Sequence, residues 1–246
     1  MNRILLGLIV LTVTACQTKS DQAKPVINKV FDAHGGYAVW EQMQAIRLVL
    51  EDEVHLISLK DRKILITNPE KQIGFDGEKV WVSPGTADAS GAHFYYNLYF
   101  YFFGMPFVLG DPGINYELLP SRELLGKEYT GIKASFESGV GNSSEDNYIL
   151  WVDPETYKVE WLMYTVTYQT GESSDQYNLI RYSDWVDRKG LIVPQKLQWH
   201  VYKNDTVGEV RNEVVFTKIQ LSKDRTSEVN FQMPENAQVA PVTSKE

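Results

Sequence analysis

The chain has 246 residues, 43% hydrophobic and 12% aromatic, and carries a formal charge of -8. That acidity argues against nucleic acid or anionic lipid headgroups as main partners and leaves hydrophobic ligands open. The single cysteine excludes an intrachain disulfide, and the length suits one all-β or α+β domain with a sizeable core.

Residues 1–15 have the form of a signal peptide: Arg3 in a short n-region, an apolar run from Ile4 to Val13, and Ala15 just before Cys16. Val13-Thr14-Ala15-Cys16 resembles the bacterial lipobox, whose cysteine is acylated and becomes the first residue of the processed chain. The resemblance implies membrane attachment through acylated Cys16, where several acyl chains at about 0.8 kcal/mol per buried methylene make a stable anchor. Gln17 stands where lipoproteins retained at the inner membrane commonly have Asp, which implies an outer-membrane protein facing the periplasm or the cell surface. Residues 16–24 then read as the lipidated cysteine and a flexible polar tether.

From Pro25 to His34 the apolar spacing predicts an amphipathic helix stopped by Gly35-Gly36, with His34 as a cap, and a second helical turn runs from Tyr37 to Met43 with Trp40 inward. The period then changes to two: Leu48, Leu50, Val54 and Leu56 alternate with Arg47, Glu51, Glu53 and His55, as in a strand with one wet face. Ile64 to Thr67, Gln72 to Phe75 and Lys79 to Val82 follow as strands, the last two flanking the hairpin dipeptide Asp76-Gly77.

Phe94 to Phe107 is more than half aromatic. At helical spacing no side of it is polar, so it must be covered all round, and it is too short for a bilayer. The simpler reading is a core helix on a sheet; the sharper one is a plug or lid over an apolar cavity. Asp111-Pro112-Gly113 turns the chain back into a run of antiparallel strands: Tyr116 to Leu125, Glu128 to Ser138, Tyr148 to Val152, Lys158 to Gln169, Asp175 to Val186, Leu191 to Lys203 and Thr206 to Leu221. Short turns, among them Gly139 to Ser144 and Gly171, make this a meander. Several strands are apolar on both faces, as a strongly curved sheet covered by helices on its concave side would require. The domain is expected to span residues 25–234, with a disordered tail over 235–246.

An ordered set of segments resembles a known family. It consists of Phe75-Asp76-Gly77-Glu78-Lys79-Val80-Trp81, Pro106-Phe107-Val108-Leu109, Leu150-Trp151-Val152-Asp153-Pro154, Gly190-Leu191-Ile192-Val193-Pro194 and Phe231-Gln232-Met233-Pro234. These are similar to segments of the outer-membrane lipoprotein-sorting carriers and acceptors (LolA/LolB-like, with LppX relatives), over nearly the whole chain after the signal segment. The resemblance implies an α+β, mainly β fold: an incomplete antiparallel β-barrel with a helical lid over an apolar cavity. Cys16 makes the chain look more like the membrane-bound acceptor, or a separate lipoprotein branch, than the soluble carrier. The carriers' barrel arginine, which holds the lid shut, has Arg62 or Arg47 as its counterpart; the acceptor's exposed hydrophobic loop has no clear one.

His34, His55, His93 and His200 lack metal-ligand spacing, and no GxSxG, P-loop or GxGxxG occurs, so no catalytic residue, metal or cofactor is assigned. Glu51, Asp52 and Glu53 read as an exposed rim, because adjacent strand residues face opposite ways. Two functions follow. One is a monomeric, lipid-anchored binding module that shelters lipid or lipoprotein acyl chains between sheet and lid, with Tyr95, Tyr99, Phe102 and Phe103 on the lid side and Trp161 and Trp199 on the sheet side. The alternative is a structural or interaction lipoprotein whose cavity the aromatic helix fills permanently.

Overall fold

The computed structural model describes residues 19–136, 146–167 and 174–242. Helices α1 (Lys19–Ala33) and α2 (Tyr37–Glu41) lead into five strands: β1 (Ala45–Leu50), β2 (Glu53–Ser58), β3 (Ile64–Thr67), β4 (Gln72–Phe75) and β5 (Val80–Ser83). The aromatic stretch follows as α3 (Ala92–Tyr95), α4 (Leu98–Phe103) and a 3-10 helix (Phe107–Gly110). A second meander comprises β6 (Ile114–Leu124), β7 (Lys127–Phe136), β8 (Tyr148–Val152), β9 (Val159–Tyr164) and β10 (Asn178–Ser183). The hairpin of β11 (Val186–Arg188) and β12 (Leu191–Val193) precedes β13 (Lys196–Lys203) and the long β14 (Thr206–Ser222), and β15 (Gln238–Val239) comes last.

All these strands except β11 and β12 form one open antiparallel sheet in the order β15-β5-β4-β3-β2-β1-β14-β13-β10-β9-β8-β7-β6. β14 stitches the two meanders together by pairing with β1 on one side and β13 on the other. The fold is therefore mainly β, an incomplete barrel with helices on its concave side. One consequence of the order governs everything else: β5 lies beside one edge of the sheet and β6 is the other edge. The aromatic connection between them has to cross the whole sheet, and it does so through the hollow. Tyr96 packs on Phe75 at one side while Phe102 packs on Tyr164 and Trp199 at the other, contacts that only a strongly curved sheet lets one short segment make.

Register explains which side chains face the hollow. Ile132, Leu150, Leu162, Ile180 and Trp199 are direct cross-strand partners in succession, forming one row on the concave face. The next row, Gly131, Trp151, Trp161, Arg181 and Gln198, points the other way. There Trp151 lies so close over Gly131 that a Cβ would fall 2.6 Å from its ring. The protein has two apolar clusters to match: a large one in the hollow, and a smaller one on the convex face around Tyr129, Trp151, Trp161 and Met163.

Four expectations need correction. The helix starts at Lys19 rather than Pro25, so the tether reading fails from Lys19 on; Ala23 and Ile27, one turn apart, are buried, and that packing outweighs the hydrogen bond that Pro25 removes. The alternation through Leu56 is not one strand: the chain reverses at Glu51-Asp52, with Glu51 at a φ of 52°, and the turn puts Glu53, His55 and Ile57 on the hollow side instead of Val54 and Leu56. Residues 191–203 divide into β12 and β13 around Pro194. The stretch read as a disordered tail is docked as far as Ala240: β15 pairs with β5, the Ala240 amide donates to the Val80 carbonyl at 2.8 Å, and Ala240 is buried. The signal segment, Cys16, and the turns placed at Gly139 to Ser144 and at Gly171 lie outside the described residues. Among the described residues no helix is long and apolar enough to cross a membrane.

Candidate functional site

The hollow is an aliphatic wall crossed by an aromatic strap, and the strap has two ends of different character. At its C-terminal end Phe102, Phe103, Met105, Phe107, Val108 and Leu109 are all buried, Phe103 and Phe107 completely. Phe103 meets Phe216 edge-on at 5.3 Å, and Phe107 stacks on Trp40 at 4.9 Å. Gly104 lets α4 stop and the chain bend sharply, since a Cβ there would fall 2.7 Å from Val108 Cγ1. The backbone of this end is pinned from the sheet: the buried Tyr182 hydroxyl donates to the Phe102 carbonyl at 2.9 Å, and Tyr116 donates to the Leu109 carbonyl. Beneath it, Trp199 Nε1 donates to the Tyr164 hydroxyl at 2.9 Å, so the buried indole N–H has its partner without water.

His34 belongs to this dry end. It is fully buried, its Nδ1 lies 3.1 Å from the Ile192 carbonyl, and its Nε2 accepts the Val159 amide at 3.1 Å. A nitrogen that accepts carries no proton, so the hydrogen sits on Nδ1 and the ring is neutral. Burial is the main cause that pulls its pKa down to about 4, with Lys158 adding to the effect against the pull of the Ile192 bond. The helix-cap reading of His34 is thus replaced by a tie between α1, β9 and β12.

At the N-terminal end of the strap the wall turns polar. Glu53 and His55, both on the concave side of β2, sit among aliphatic residues, and three donors converge on the Glu53 carboxylate: the Tyr95 hydroxyl at 2.6 Å, His55 Nε2 at 3.2 Å and Asn68 Nδ2 at 3.2 Å. Burial works to raise the Glu53 carboxyl, but these hydrogen bonds outweigh it and hold it below the usual carboxylate range. Burial first, and then the Glu53 carboxylate, push the Tyr95 hydroxyl well up, so it is a donor at any working pH. Tyr99 stands edge-on to both Tyr95 and His55, with centroids 5.7 and 6.1 Å apart. A cavity of about 390 Å³ opens beside this cluster.

A third pin joins wall to strap. Arg62 Nη2 contacts Asp111 Oδ2 at 2.5 Å, just past the 3-10 helix, and the guanidinium lies 5.1 Å from the Phe100 ring. Burial pushes the Asp111 carboxyl above its ordinary range although Arg62 opposes it. Of the two arginines singled out in the sequence, Arg62 reaches the strap; Arg47 alternates with Ile46 and Leu48, which face the hollow, and so points away from it.

Tyr95, Tyr99, Phe102, Phe103 and Trp199 come together in the hollow. Trp161 does not. It belongs to the convex cluster, in the row of Trp151 and Arg181, with the Arg181 guanidinium 5.3 Å from its ring. Trp161 and Leu162 are both apolar, so alternation alone left the face of β9 open; the cross-strand register decides it. Sequence reading missed Glu53 and His55 as inward-facing groups, because they were counted along a strand that is really a hairpin. It also missed Tyr182, whose hydroxyl target is a backbone carbonyl and leaves no trace in the sequence pattern. Among the described residues no group of three or more His, Cys, Asp or Glu is placed to hold a metal ion.

Residues 83–204, just under half the chain, match a family described as a family of unknown function, DUF6503. No curated protein matches. Among solved structures, a LolA superfamily protein from Nitrosomonas europaea is 13% identical with a TM-score of 0.51, the match covering 86% of this chain and 97% of that one. A DUF1329 family protein from Desulfovibrio piger is 11% identical over 82% of this chain and 95% of that one, with a TM-score of 0.45. A putative outer membrane lipoprotein-sorting protein domain from Vibrio parahaemolyticus is 7% identical over 80% of this chain and 97% of that one, with a TM-score of 0.36. The first of these matches spans most of both chains, and the chain has a LolA-like fold.

Proposed function

We propose that this protein is a lipid-anchored lipoprotein of the cell envelope that shelters acyl chains, or another long apolar ligand, in the hollow of its sheet and serves lipid or lipoprotein transport. The observation that carries this reading is the strap. One connection crosses the hollow from edge to edge, lies on an aliphatic wall, and is tied to that wall by a handful of side-chain hydrogen bonds and the Arg62–Asp111 pair. An acyl chain offers the wall the same kind of surface that the strap offers it. Apolar burial gives roughly 25 cal/mol per Å² to either occupant, so strap and ligand compete on near-equal terms and exchange stays reversible. The chemistry is burial and release; no nucleophile or acid–base pair takes part. The LolA-like fold and the lipobox at Cys16 support placement at the outer membrane, with the domain as a monomer on the periplasmic or cell-surface side.

A specific observation favours a second reading. Phe103 and Phe107 are completely buried, as in a permanent core, and a strap that never leaves would make this a structural or interaction lipoprotein. The full chain, extracted from membranes in mild detergent, distinguishes the two by mass spectrometry of its lipids and by hydrogen exchange. Carriage predicts bound lipid and faster amide exchange across residues 92–110 when lipid is added. Absence of lipid together with unchanged exchange overturns it. Membrane release by Cys16→Ala, with loss of radiolabelled palmitate, tests the anchor.

A further inference from the structure

We propose that the cavity at the polar end of the strap is the headgroup site for a zwitterionic aminophospholipid, a lipid that carries an ammonium and a phosphate above its acyl chains. This rests on the reading of the hollow as an acyl-chain site. The cavity, about 390 Å³, is lined by Glu53, Lys71, Ile73, Ser90, Phe94 and Tyr95 together with Gly91 and Ala92. That size is within the range of small-molecule sites, and the lining places a carboxylate and an ammonium around one opening.

The floor of the cavity connects to the hollow through the sheet itself. Ile73 is in the concave row with Leu48, His55, Ile66 and Val82, so a molecule whose polar end rests in the cavity has its apolar end on the aliphatic wall. The carboxylate then sets the class of headgroup. Glu53 is 16% exposed and accepts three hydrogen bonds, one from His55 on β2, one from Asn68 in the turn after β3 and one, the shortest, from Tyr95 on the strap. When the strap withdraws, Tyr95 leaves with it, and a partly buried anion loses a donor. Leaving such a group unpartnered is more unfavourable than an ordinary hydrogen bond is favourable. An incoming ammonium replaces the lost donor on the Glu53 carboxylate. Lys71, held at the rim by the Asp88 carbonyl oxygen 3.0 Å from its Nζ, is placed to take the phosphate. An anionic headgroup with no ammonium would set like charge against Glu53 on a chain already at -8.

The experiment is lipid uptake by the full chain from vesicles of equal phosphatidylethanolamine, phosphatidylglycerol and diacylglycerol with identical acyl chains, with the lipids on the re-isolated protein counted by mass spectrometry. Phosphatidylethanolamine is expected to exceed phosphatidylglycerol about tenfold, the effect of one charge-assisted contact. Glu53→Gln brings that ratio to about one; a ratio that survives the substitution overturns the role of Glu53. Should Glu53→Gln fail to fold, Lys71→Glu at the rim carries the test: the ratio of phosphatidylethanolamine to diacylglycerol falls about tenfold, and an unchanged ratio overturns the site. Equal uptake of the two phospholipids by the unmodified chain overturns the headgroup site and leaves the acyl-chain reading standing. No uptake of any lipid overturns the acyl-chain reading, and the headgroup site with it.

Discussion

The two ends of the strap lie on the same sheet but are held by different forces. The C-terminal end, Phe102 to Leu109, is dry: its side chains are buried and its polar pins reach only its backbone carbonyls. The N-terminal end is half wet, with Phe94 37% exposed and Tyr95 and Tyr99 arranged around the carboxylate of Glu53 and the ring of His55. Apolar burial is non-directional and is lost only when a whole side chain leaves, whereas a hydrogen bond to an anion can pass to another donor without moving the wall. The dry end therefore anchors and the polar end is the one suited to open first.

The largest effect expected is at the dry end. Phe103→Ala should destabilise the protein by about 3–5 kcal/mol through lost transfer energy and the cavity left against Phe216, while Phe94→Ala should lose only about 1 kcal/mol. Urea unfolding of the two variants measures both. Equal losses would abolish the distinction between the ends.

Acid should weaken the dry end before it weakens the polar one. His34 is neutral when folded, with its pKa lowered from 6.5 to about 4, so the unfolded chain binds the extra proton first. The stability it contributes is present above pH 6.5 and lost as the pH falls to about 4, of order 3 kcal/mol in all. Glu53 also has a lowered pKa, starting from 4.5, so its contribution is intact above that value and lost only in more acid solution. Urea midpoints measured between pH 7 and pH 3 should fall first in the upper window, and His34→Gln should flatten that first fall while leaving the second.

At the polar end, Tyr95→Phe removes the donor to Glu53 and keeps the ring. The expected loss is about 1–2 kcal/mol, seen as faster amide exchange over residues 92–101, with residues 102–109 unchanged. Faster exchange along the whole strap would mean that the two ends open together.

How much of this was written legibly in the chain depends on where the information resides. The Asp76-Gly77 hairpin and the bounds of β3, β4 and β8 follow from turn chemistry and alternation within a few residues, and the structure has them where the sequence puts them. The curved sheet with a cover was legible from strands apolar on both faces. What failed was parity. Glu51 and Asp52 look like strand residues until the chain is seen to reverse there, and a reversal by two residues exchanges the faces of all that follow, hiding Glu53 and His55. Trp161 failed for a related reason, since its face is set by Trp151 and Arg181 on neighbouring strands. Pro25 was read as a helix start because the burial of Ala23 is a tertiary fact.

The smallest effect tests whether the strap has a pin independent of its rings. Arg62 and Asp111 are each about one-third exposed, at 34% and 33%, so solvent screens their attraction and the pair contributes about 1 kcal/mol or less; the approach of the guanidinium to Phe100 adds about 0.5–1 kcal/mol. Arg62→Ala should thus lower the stability read by urea by only about 1–1.5 kcal/mol, because the fully buried rings still hold the core. The local opening of residues 98–110 should increase about tenfold, since a loss near 1.4 kcal/mol multiplies the open population of the segment by that factor. Arg47→Ala, on the convex face, should change neither quantity. Amide exchange on the three proteins side by side makes the separation: an opening that rises for Arg62→Ala alone identifies Arg62 as the pin that spans from wall to strap, and an opening that rises for neither leaves the rings as the whole of the attachment.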